Sequence, residues 1–267
     1  MRAAVLGSPV AHSLSPVLHA AAYAALGLQG WTYDRHECIE DGLPAFVAGL
    51  GPEWAGLSLT MPLKRVALDV ADEVSPLAAA VGAANTLLLG GATRAENTDV
   101  AGIVAALDGV TGGRAVVLGA GGTAQAALAA LRELGIDDVT VLVRSTARAG
   151  ELRDAARRLG TAPVVDDALA DPARADAVLA GADVVVSTLP AGAADALTAR
   201  APVVLDVVYA PWPTPLAAAA AARGARVVSG LEMLLHQAVA QVGLMTGHPG
   251  PVDAMRAALD EAVAARA

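Results

Sequence analysis

A glycine-rich turn between an apolar strand and a helix constrains the fold of this chain more than any other feature. Residues 115–124 read AVVLGAGGTA, which contains the spacing Gly-x-Gly-x-x-Ala. The apolar run before the turn is typical of a buried parallel strand, and Thr123 to Leu134 has helical periodicity. Glycines let the backbone approach a pyrophosphate, and the helix N-terminus supplies free N–H groups. The pattern predicts dinucleotide binding, the alternative being a tight turn without a ligand.

The end of the following strand indicates which dinucleotide is bound. NAD-binding folds usually place an acidic residue there for the ribose 2′-hydroxyl, whereas residues 143–148 read VRSTAR. Arginine forms paired, charge-assisted hydrogen bonds to phosphate oxygens, so the segment favours NADP over NAD. The alternative is that these arginines are solvated surface charges. The predicted cofactor-binding residues are Gly119, Ala120, Gly121, Gly122, Thr123, Ala124, Arg144, Ser145 and Arg148.

Predicted strands and helices alternate along the whole chain, which favours an α/β fold with two domains. Residues 99–230 are predicted to form a Rossmann-type dinucleotide-binding domain. Residues 1–98 and 231–267 are predicted to form a substrate-binding catalytic domain. The last two helices have no strand after them, so we expect them to return to the first domain. A substrate cleft is expected between the domains, where ligands commonly bind.

Composition narrows the possible partners and compartment. The formal charge of −9 disfavours nucleic acid, because binding to its phosphates rests largely on basic groups. No apolar segment is long and uninterrupted enough to predict a membrane span or a secretion signal. Cys38 is the only cysteine, so no internal disulfide can form. We expect a cytoplasmic protein with a small-molecule substrate, as a monomer or a homodimer.

Four polar clusters stand at predicted strand ends in the first part of the chain, where open α/β sheets place ligands. Each also has a local explanation: Ser15 can cap a helix with Pro16 in its first turn, and Lys64 can be an exposed helix lysine. Asn85 can satisfy a turn, and Asp99 can cap the helix that follows it. Periodicity alone does not bring these groups together.

Six ordered motifs resemble those of the shikimate dehydrogenases. They are GSPVAHSLSP at residues 7–16, LSLTMPLK ending at Lys64, GAANT at 82–86, ENTD at 96–99, GAGGTA at 119–124 and GLEMLLHQA at 230–238. The resemblance spans nearly the whole chain and implies the reversible reduction of 3-dehydroshikimate to shikimate with NADPH.

The same resemblance implies roles for individual residues. Lys64 and Asp99 are the implied catalytic pair, and Gly230 is an implied cofactor residue. A positioned ammonium can stabilise the charge that hydride transfer leaves on a ketone oxygen, and can supply a proton. The implied substrate-binding residues are Ser13, Ser15, Thr60, Lys64, Asn85, Asp99, Tyr209 and Gln237.

Some positions depart from the family pattern and keep alternatives open. Ser58 and Val143 stand where many members have asparagine. One alternative is a quinate/shikimate dehydrogenase with broader substrate or NAD use. Another is a non-catalytic NADP-binding regulatory module, which is expected to lack Lys64 or Asp99, and both are present. The histidines and carboxylates have no metal-ligand spacing.

Overall fold

The computed structural model describes residues 1–266 and divides the chain into two compact units. Unit 1 comprises residues 1–102 and the segment that begins at Leu234, and unit 2 comprises Ile103–Met233. The divisions between the units fall inside helices α5 (Asp99–Ala106) and α10 (Gly230–Thr246). The domain boundaries predicted from the sequence lie at or beside the first residues of these two helices. The predicted α/β class is confirmed in both units.

Unit 1 contains a six-stranded mixed sheet with the order β2-β1-β3-β5-β6-β4. Strand β1 pairs in parallel with β2 and β3, and β5 is antiparallel to both β3 and β6. The elements that precede α5 are β1 (Arg2–Gly7), α1 (Ser15–Ala25), β2 (Thr32–Glu37), α2 (Leu43–Ala48), β3 (Trp54–Leu59), α3 (Val66–Val70), β4 (Glu73–Val74), α4 (Pro76–Val81), β5 (Thr86–Leu88) and β6 (Arg94–Glu96).

Helix α11 and all but the first residues of α10 lie in the first unit. Helix α11 (Val252–Ala264) packs against α1, and Met245 near the end of α10 packs on the sheet beside Ala3 and Ala55. The hairpin predicted around Gly90-Gly91 is also present as β5 and β6. Helix α10 therefore covers apolar residues of the sheet, whereas α11 forms a second layer on α1.

Unit 2 contains six parallel strands with the order β12-β11-β10-β7-β8-β9. Its elements are β7 (Arg114–Leu118), α6 (Gly122–Glu133), β8 (Asp138–Leu142), α7 (Gly150–Leu159), β9 (Val164–Asp166), α8 (Pro172–Leu179), β10 (Val184–Ser187), β11 (Val203–Asp206), α9 (Pro215–Ala221) and β12 (Arg226–Ser229). This is the doubly wound order of dinucleotide-binding folds, with its switch point between β7 and β10. Strand β12 forms the sheet edge predicted for Val227-Val228.

Two helices predicted from periodicity begin later than expected. Residues 61–65 form turns before α3, and Thr146–Arg148 forms a 3₁₀ turn before α7. The carbonyl of Lys64 accepts a hydrogen bond from the Ala84 N–H at 2.7 Å, which diverts it from a helical partner. The carbonyl of Thr146 accepts hydrogen bonds from the Ala149 N–H and the Arg153 guanidinium, both close by in sequence. A tertiary contact therefore overrides local helix propensity at Lys64, whereas local hydrogen bonds hold the 3₁₀ turn at Thr146.

Candidate active site

Lys64 is held in a turn that follows the central strand β3. The Thr60 N–H donates to the Leu6 carbonyl of β1, and the Leu63 N–H donates back to the Thr60 carbonyl. The Leu63 side chain is fully buried and anchors the turn, in which the Met61–Pro62 peptide is cis. The Lys64 carbonyl also accepts a hydrogen bond from the Ala84 N–H, so the backbone is fixed both before Lys64 and at Lys64 itself. The Lys64 side chain is 20% exposed.

Asp99 opens helix α5 with a carboxylate that does not cap it. The cap is Asn97, whose Oδ1 accepts the Val100 N–H at 3.3 Å while its Nδ2 donates to the Ala83 carbonyl. The Asp99 carboxylate is therefore free to meet Lys64, with 2.5 Å between Nζ and Oδ2. The local alternative for Asp99, helix capping, is wrong because Asn97 already performs it. The Asp99 side chain is only 4% exposed, so this ion pair is weakly screened by solvent.

Asn85 connects this ion pair to helix α10. Its Nδ2 donates to Asp99 Oδ1 at 2.9 Å, to Thr98 Oγ1 at 2.9 Å and to Gln237 Oε1 at 3.1 Å. An amide nitrogen has two hydrogens for these three acceptors, so one acceptor position stays open to a ligand hydroxyl. Lys64, Asp99, Asn85 and Gln237 thus form one directly hydrogen-bonded group, although their sequence positions span more than half the chain.

The serine motif lies at the start of α1 but does not cap it as predicted. Ser15 is the first helical residue, and its backbone N–H donates to the Ser13 hydroxyl at 3.2 Å. The Arg35 guanidinium donates twice to the Ser13 carbonyl, at 2.7 and 3.1 Å. Within the described residues, the hydrogen-bonded group around Lys64 includes neither Ser13 nor Thr60. Their convergence on a substrate stays a prediction.

The glycine turn of unit 2 follows β7, a central strand beside the switch point. Gly119 has a φ of +107°, and a Cβ there would lie 2.7 Å from Thr188 Oγ1, so the fold itself requires glycine. Gly121 is exposed, has a φ of −75°, and a Cβ there would meet nothing within 4 Å. Nothing in the protein requires glycine at that position, whereas a ligand that closely approaches the backbone does. Gly121 therefore fits a pyrophosphate site at the N-terminus of α6.

Arg144 and Arg148 follow β8 and are both exposed. Within residues 1–266 neither guanidinium has an ion pair or hydrogen bond with another group of the protein. The nearby carboxylates of Asp166 and Asp167, at the end of neighbouring β9, are paired with Arg174 at 3.1 and 3.0 Å. These acids are thus partly neutralised, and the two free arginines fit a phosphate group.

Tyr209 and Gly230 also belong to unit 2. Tyr209 is half-buried in the segment after β11. Gly230 starts α10, and a Cβ there would lie 2.0 Å from the Val207 carbonyl oxygen. Backbone packing therefore explains this glycine within the protein, and its role toward a cofactor stays a prediction.

Family models match most of the chain in three consecutive parts. Residues 5–87 match the shikimate dehydrogenase substrate binding domain, 104–198 match shikimate / quinate 5-dehydrogenase, and 230–259 match the shikimate 5′-dehydrogenase C-terminal domain. A shikimate dehydrogenase (NADP(+)) of Sinorhizobium medicae is 41% identical over 88% of this chain and 85% of its own. The chain belongs to the shikimate dehydrogenase family.

Solved structures of this family have the same architecture. Shikimate dehydrogenase of Mycobacterium tuberculosis is 49% identical with a TM-score of 0.88, and the match covers 98% of this chain and 99% of the other. The enzyme of Thermus thermophilus, solved in complex with NADP(H) and shikimate, is 34% identical with a TM-score of 0.82 over 98% and 99% of the two chains.

Two structural features of the family site were not predicted from the sequence. Arg35 holds the serine motif by its backbone, and Gln241 lies one helical turn after Gln237 on α10. The four-residue spacing places both glutamines on one helix face, which is a usable signal. Among residues 1–266 no helix combines the length and apolar character needed to span a membrane, and no cluster of metal-ligating side chains is found.

Proposed function

We propose that this protein catalyses the reversible, NADP-dependent interconversion of 3-dehydroshikimate and shikimate, a step of the shikimate pathway to aromatic amino acids. The observation that carries the proposal is the Lys64–Asp99 ion pair: its Nζ–Oδ2 distance is 2.5 Å, its carboxylate is buried, and Asn85 orients that carboxylate. Relatives named shikimate dehydrogenase (NADP(+)) support the substrate and cofactor. Unit 1 is then the substrate-binding domain and unit 2 the dinucleotide-binding domain.

Lys64 is the proton donor in reduction and the acceptor in oxidation. When bound, the nicotinamide donates or accepts a hydride at the substrate carbon. The developing oxyanion is stabilised by the Lys64 ammonium, which then transfers a proton to it. Lys64 is the only lysine in the chain, while the remaining cationic side chains are arginines. Arginine cannot give up a proton in proteins, so the lysine supplies something beyond charge.

Asp99 keeps the ammonium in place and contributes to substrate binding. Its Oδ2 accepts from Lys64 while its Oδ1 accepts from Asn85, so the carboxylate cannot rotate freely. With one Asn85 hydrogen on Asp99, the acceptor that Asn85 leaves open is on Gln237 or Thr98, and it suits a ring hydroxyl. Ser13, Ser15, Thr60 and Tyr209 complete the proposed substrate site by hydrogen bonds to the remaining polar groups of the substrate.

The cofactor residues are proposed from the fit of unit 2. Gly119 to Ala124 bind the pyrophosphate through backbone N–H groups and the positive end of α6. Arg144, Ser145 and Arg148 bind the 2′-phosphate that distinguishes NADP from NAD. Gly230 permits close approach of the start of α10 to the same cofactor.

The decisive experiment is a spectrophotometric assay of reduced nicotinamide at 340 nm. Shikimate and quinate are each tested with NADP and with NAD, and turnover is expected to be fastest for shikimate with NADP. Faster turnover of quinate, or equal use of NAD, would assign the protein to the quinate-oxidising branch of the family. Cofactor binding without turnover of either substrate would instead indicate a regulatory module.

A further inference from the structure

A chain of hydrogen bonds in unit 1, part-buried at its first link and buried beyond it, ends on the Asp99 carboxylate. Tyr33 donates to Ser58 at 2.6 Å, and Ser58 donates to Gln241 at 2.8 Å. Gln241 donates to Thr86 at 2.9 Å, and Thr86 donates to Asn85 at 3.0 Å. Asn85 then donates to Asp99 at 2.9 Å. The chain joins β2, β3, α10, β5 and α5.

Backbone groups fix the direction of both amides in this chain. The Thr98 backbone N–H can only donate, and it faces Asn85 Oδ1 at 2.8 Å, so Nδ2 must face Asp99. The Asn85 backbone carbonyl can only accept, and it faces Gln241 Nε2 at 3.1 Å. Gln241 Oε1 must therefore face Ser58. Neither amide can flip without breaking a backbone hydrogen bond.

The fixed amides determine the orientation of the two hydroxyls before them. Ser58 must donate its only hydrogen to Gln241 Oε1, which leaves its lone pairs to accept from Tyr33. Every side chain from Tyr33 to Asn85 therefore donates to the next, in a single direction. Hydrogen bonds aligned in this way polarise one another, and all the more so in a buried setting.

Tyr33 is a permanent donor at the start of the chain. Burial raises the pKa of Tyr33 well above its usual range, so its phenol stays protonated. Its ring stacks on His19 with 3.9 Å between centroids and an interplanar angle of 17°. The Tyr33 ring thus lies against a fully buried histidine at the start of the chain of hydrogen bonds.

We propose that Tyr33, Ser58 and Gln241 are positioning residues for the proposed reaction: they hold the Asn85 amide so that Asp99 stays oriented toward Lys64. This inference rests on the proposed function. None of the three is assigned a contact with substrate or cofactor. They act through Asn85, the last amide before the ion pair. Ser58, where many family members have asparagine, supplies both the donor and the acceptor that the chain needs at that point.

The test compares two tyrosine-to-phenylalanine variants with the same chemical change. Tyr33→Phe removes the first donor of the hydrogen-bond chain. Tyr23→Phe removes a hydroxyl whose partner among the described residues is His19 Nδ1, at 3.4 Å, outside that chain. We expect Tyr33→Phe to lower kcat/KM for shikimate about five- to tenfold, as loss of one buried hydrogen bond implies, with the KM for NADP unchanged. Tyr23→Phe is expected to leave both within twofold.

Variants in the middle of the chain provide a second measurement. Ser58→Ala and Gln241→Met each interrupt it, and we expect a tenfold or larger loss in kcat/KM for shikimate, again without a change in the KM for NADP. The Ser58→Ala/Tyr33→Phe double variant should lose little more than Ser58→Ala alone, because both act through one chain.

Three outcomes would overturn the inference. If Tyr33→Phe and Gln241→Met keep kcat and the KM for shikimate within twofold of wild type, no positioning role exists although the proposed function stands. If the variants lose kcat/KM equally for shikimate and for NADP, and the loss follows the decrease in Tm, these hydrogen bonds have only a structural role. A wild-type protein that does not turn over shikimate would remove the proposed function and this inference with it.

Discussion

The two proposed ligand sites of this protein are built in opposite ways. Around Lys64 and Asp99 in unit 1, buried side chains satisfy one another through hydrogen bonds before any ligand arrives. At the glycine turn of unit 2, Gly121 is exposed, and a Cβ there would have no neighbouring atom within 4 Å. After β8, and within the described residues, Arg144 and Arg148 have no partner for their guanidinium groups.

The difference follows from what each site must do. A proton-transfer group needs a fixed geometry, and a buried charge needs partners, so the fold supplies both around Lys64. A phosphate-binding site needs free donors, since donors already paired within the protein would have to be released first. We therefore expect changes at Lys64 and its partners to affect chemistry, and changes at the ligand-facing positions Gly121 and Arg144 of unit 2 to affect cofactor affinity alone.

The largest effect is expected at Lys64. Both Lys64→Ala and Lys64→Arg should lower kcat about 10²- to 10⁴-fold. The first removes the ammonium, and the second keeps the positive charge on a guanidinium that is too weak an acid to transfer a proton. Steady-state rates at 340 nm measure kcat, and NADPH titrations measure cofactor affinity. A Lys64→Arg variant within a few-fold of wild-type kcat would show that charge alone suffices. NADPH affinity should not change in either variant.

A pair of glycine variants tests whether the turn in unit 2 is shaped by the fold or by the ligand. Gly121→Thr should leave Tm unchanged, because threonine and glycine are about equally good at the N-cap position that Gly121 holds. It should weaken NADPH about tenfold or more, because its side chain enters the space assigned to the pyrophosphate. Gly119→Ala should lower stability by about 1–3 kcal/mol, given its positive φ and the clash with Thr188. Thermal melts with and without NADPH separate these effects, and equal Tm losses in both variants would contradict the distinction.

Arg144→Ala should weaken NADPH about tenfold and leave NADH unchanged. In the proposed site this guanidinium forms charge-assisted hydrogen bonds to the 2′-phosphate, which NADH lacks, and such bonds are each worth about 1.5–3 kcal/mol. Fluorescence titration with both cofactors measures the effect. Arg157→Ala is the matched control, because Arg157 is an exposed arginine that pairs with Asp154 on the surface of α7. A parallel loss of NADH affinity in Arg144→Ala would contradict the assignment to the 2′-phosphate.

The smallest effect on stability at neutral pH is expected from a change at His19, which is fully buried and stacks on Tyr33. Burial lowers the pKa of His19 to about 3, while the Gln241 side chain opposes this weakly. The neutral form is favoured by folding, so its contribution is complete above the unfolded pKa of 6.5 and is lost as pH falls toward 3. His19→Phe should change stability by about 1.5 kcal/mol or less at pH 7.5.

Below pH 6 the free energy of unfolding of His19→Phe should fall less steeply with decreasing pH than that of wild type. The two slopes should differ by up to about 1.4 kcal/mol per pH unit. Denaturant unfolding between pH 7.5 and 4 measures the slope. His248→Gln, a change at an exposed histidine, serves as the control and should keep the wild-type slope. Parallel pH curves for His19→Phe and wild type would show that His19 does not titrate in this way.

Sequence patterns reached the fold because they report on local chemistry. The apolar strand, the glycines and the periodic helix at residues 115–134 predict one element each, and a parallel sheet follows from their alternation. The ordered motifs led to the family, which the comparisons bear out. The helix start near Lys64 was misplaced because the distant Ala84 N–H bonds to the Lys64 carbonyl. The start near Thr146 was misplaced because a 3₁₀ turn held by local hydrogen bonds precedes α7.

What the sequence by itself determined about this protein is its elements, its doubly wound sheet and the residue types at its strand ends. Only the tertiary structure decided that Asn97 caps α5 and leaves Asp99 for Lys64, and that Gln241 on a C-terminal helix orients an asparagine 156 positions earlier. The physical reason is range: propensity and periodicity act over a few residues, whereas a hydrogen bond requires only that two groups meet in space.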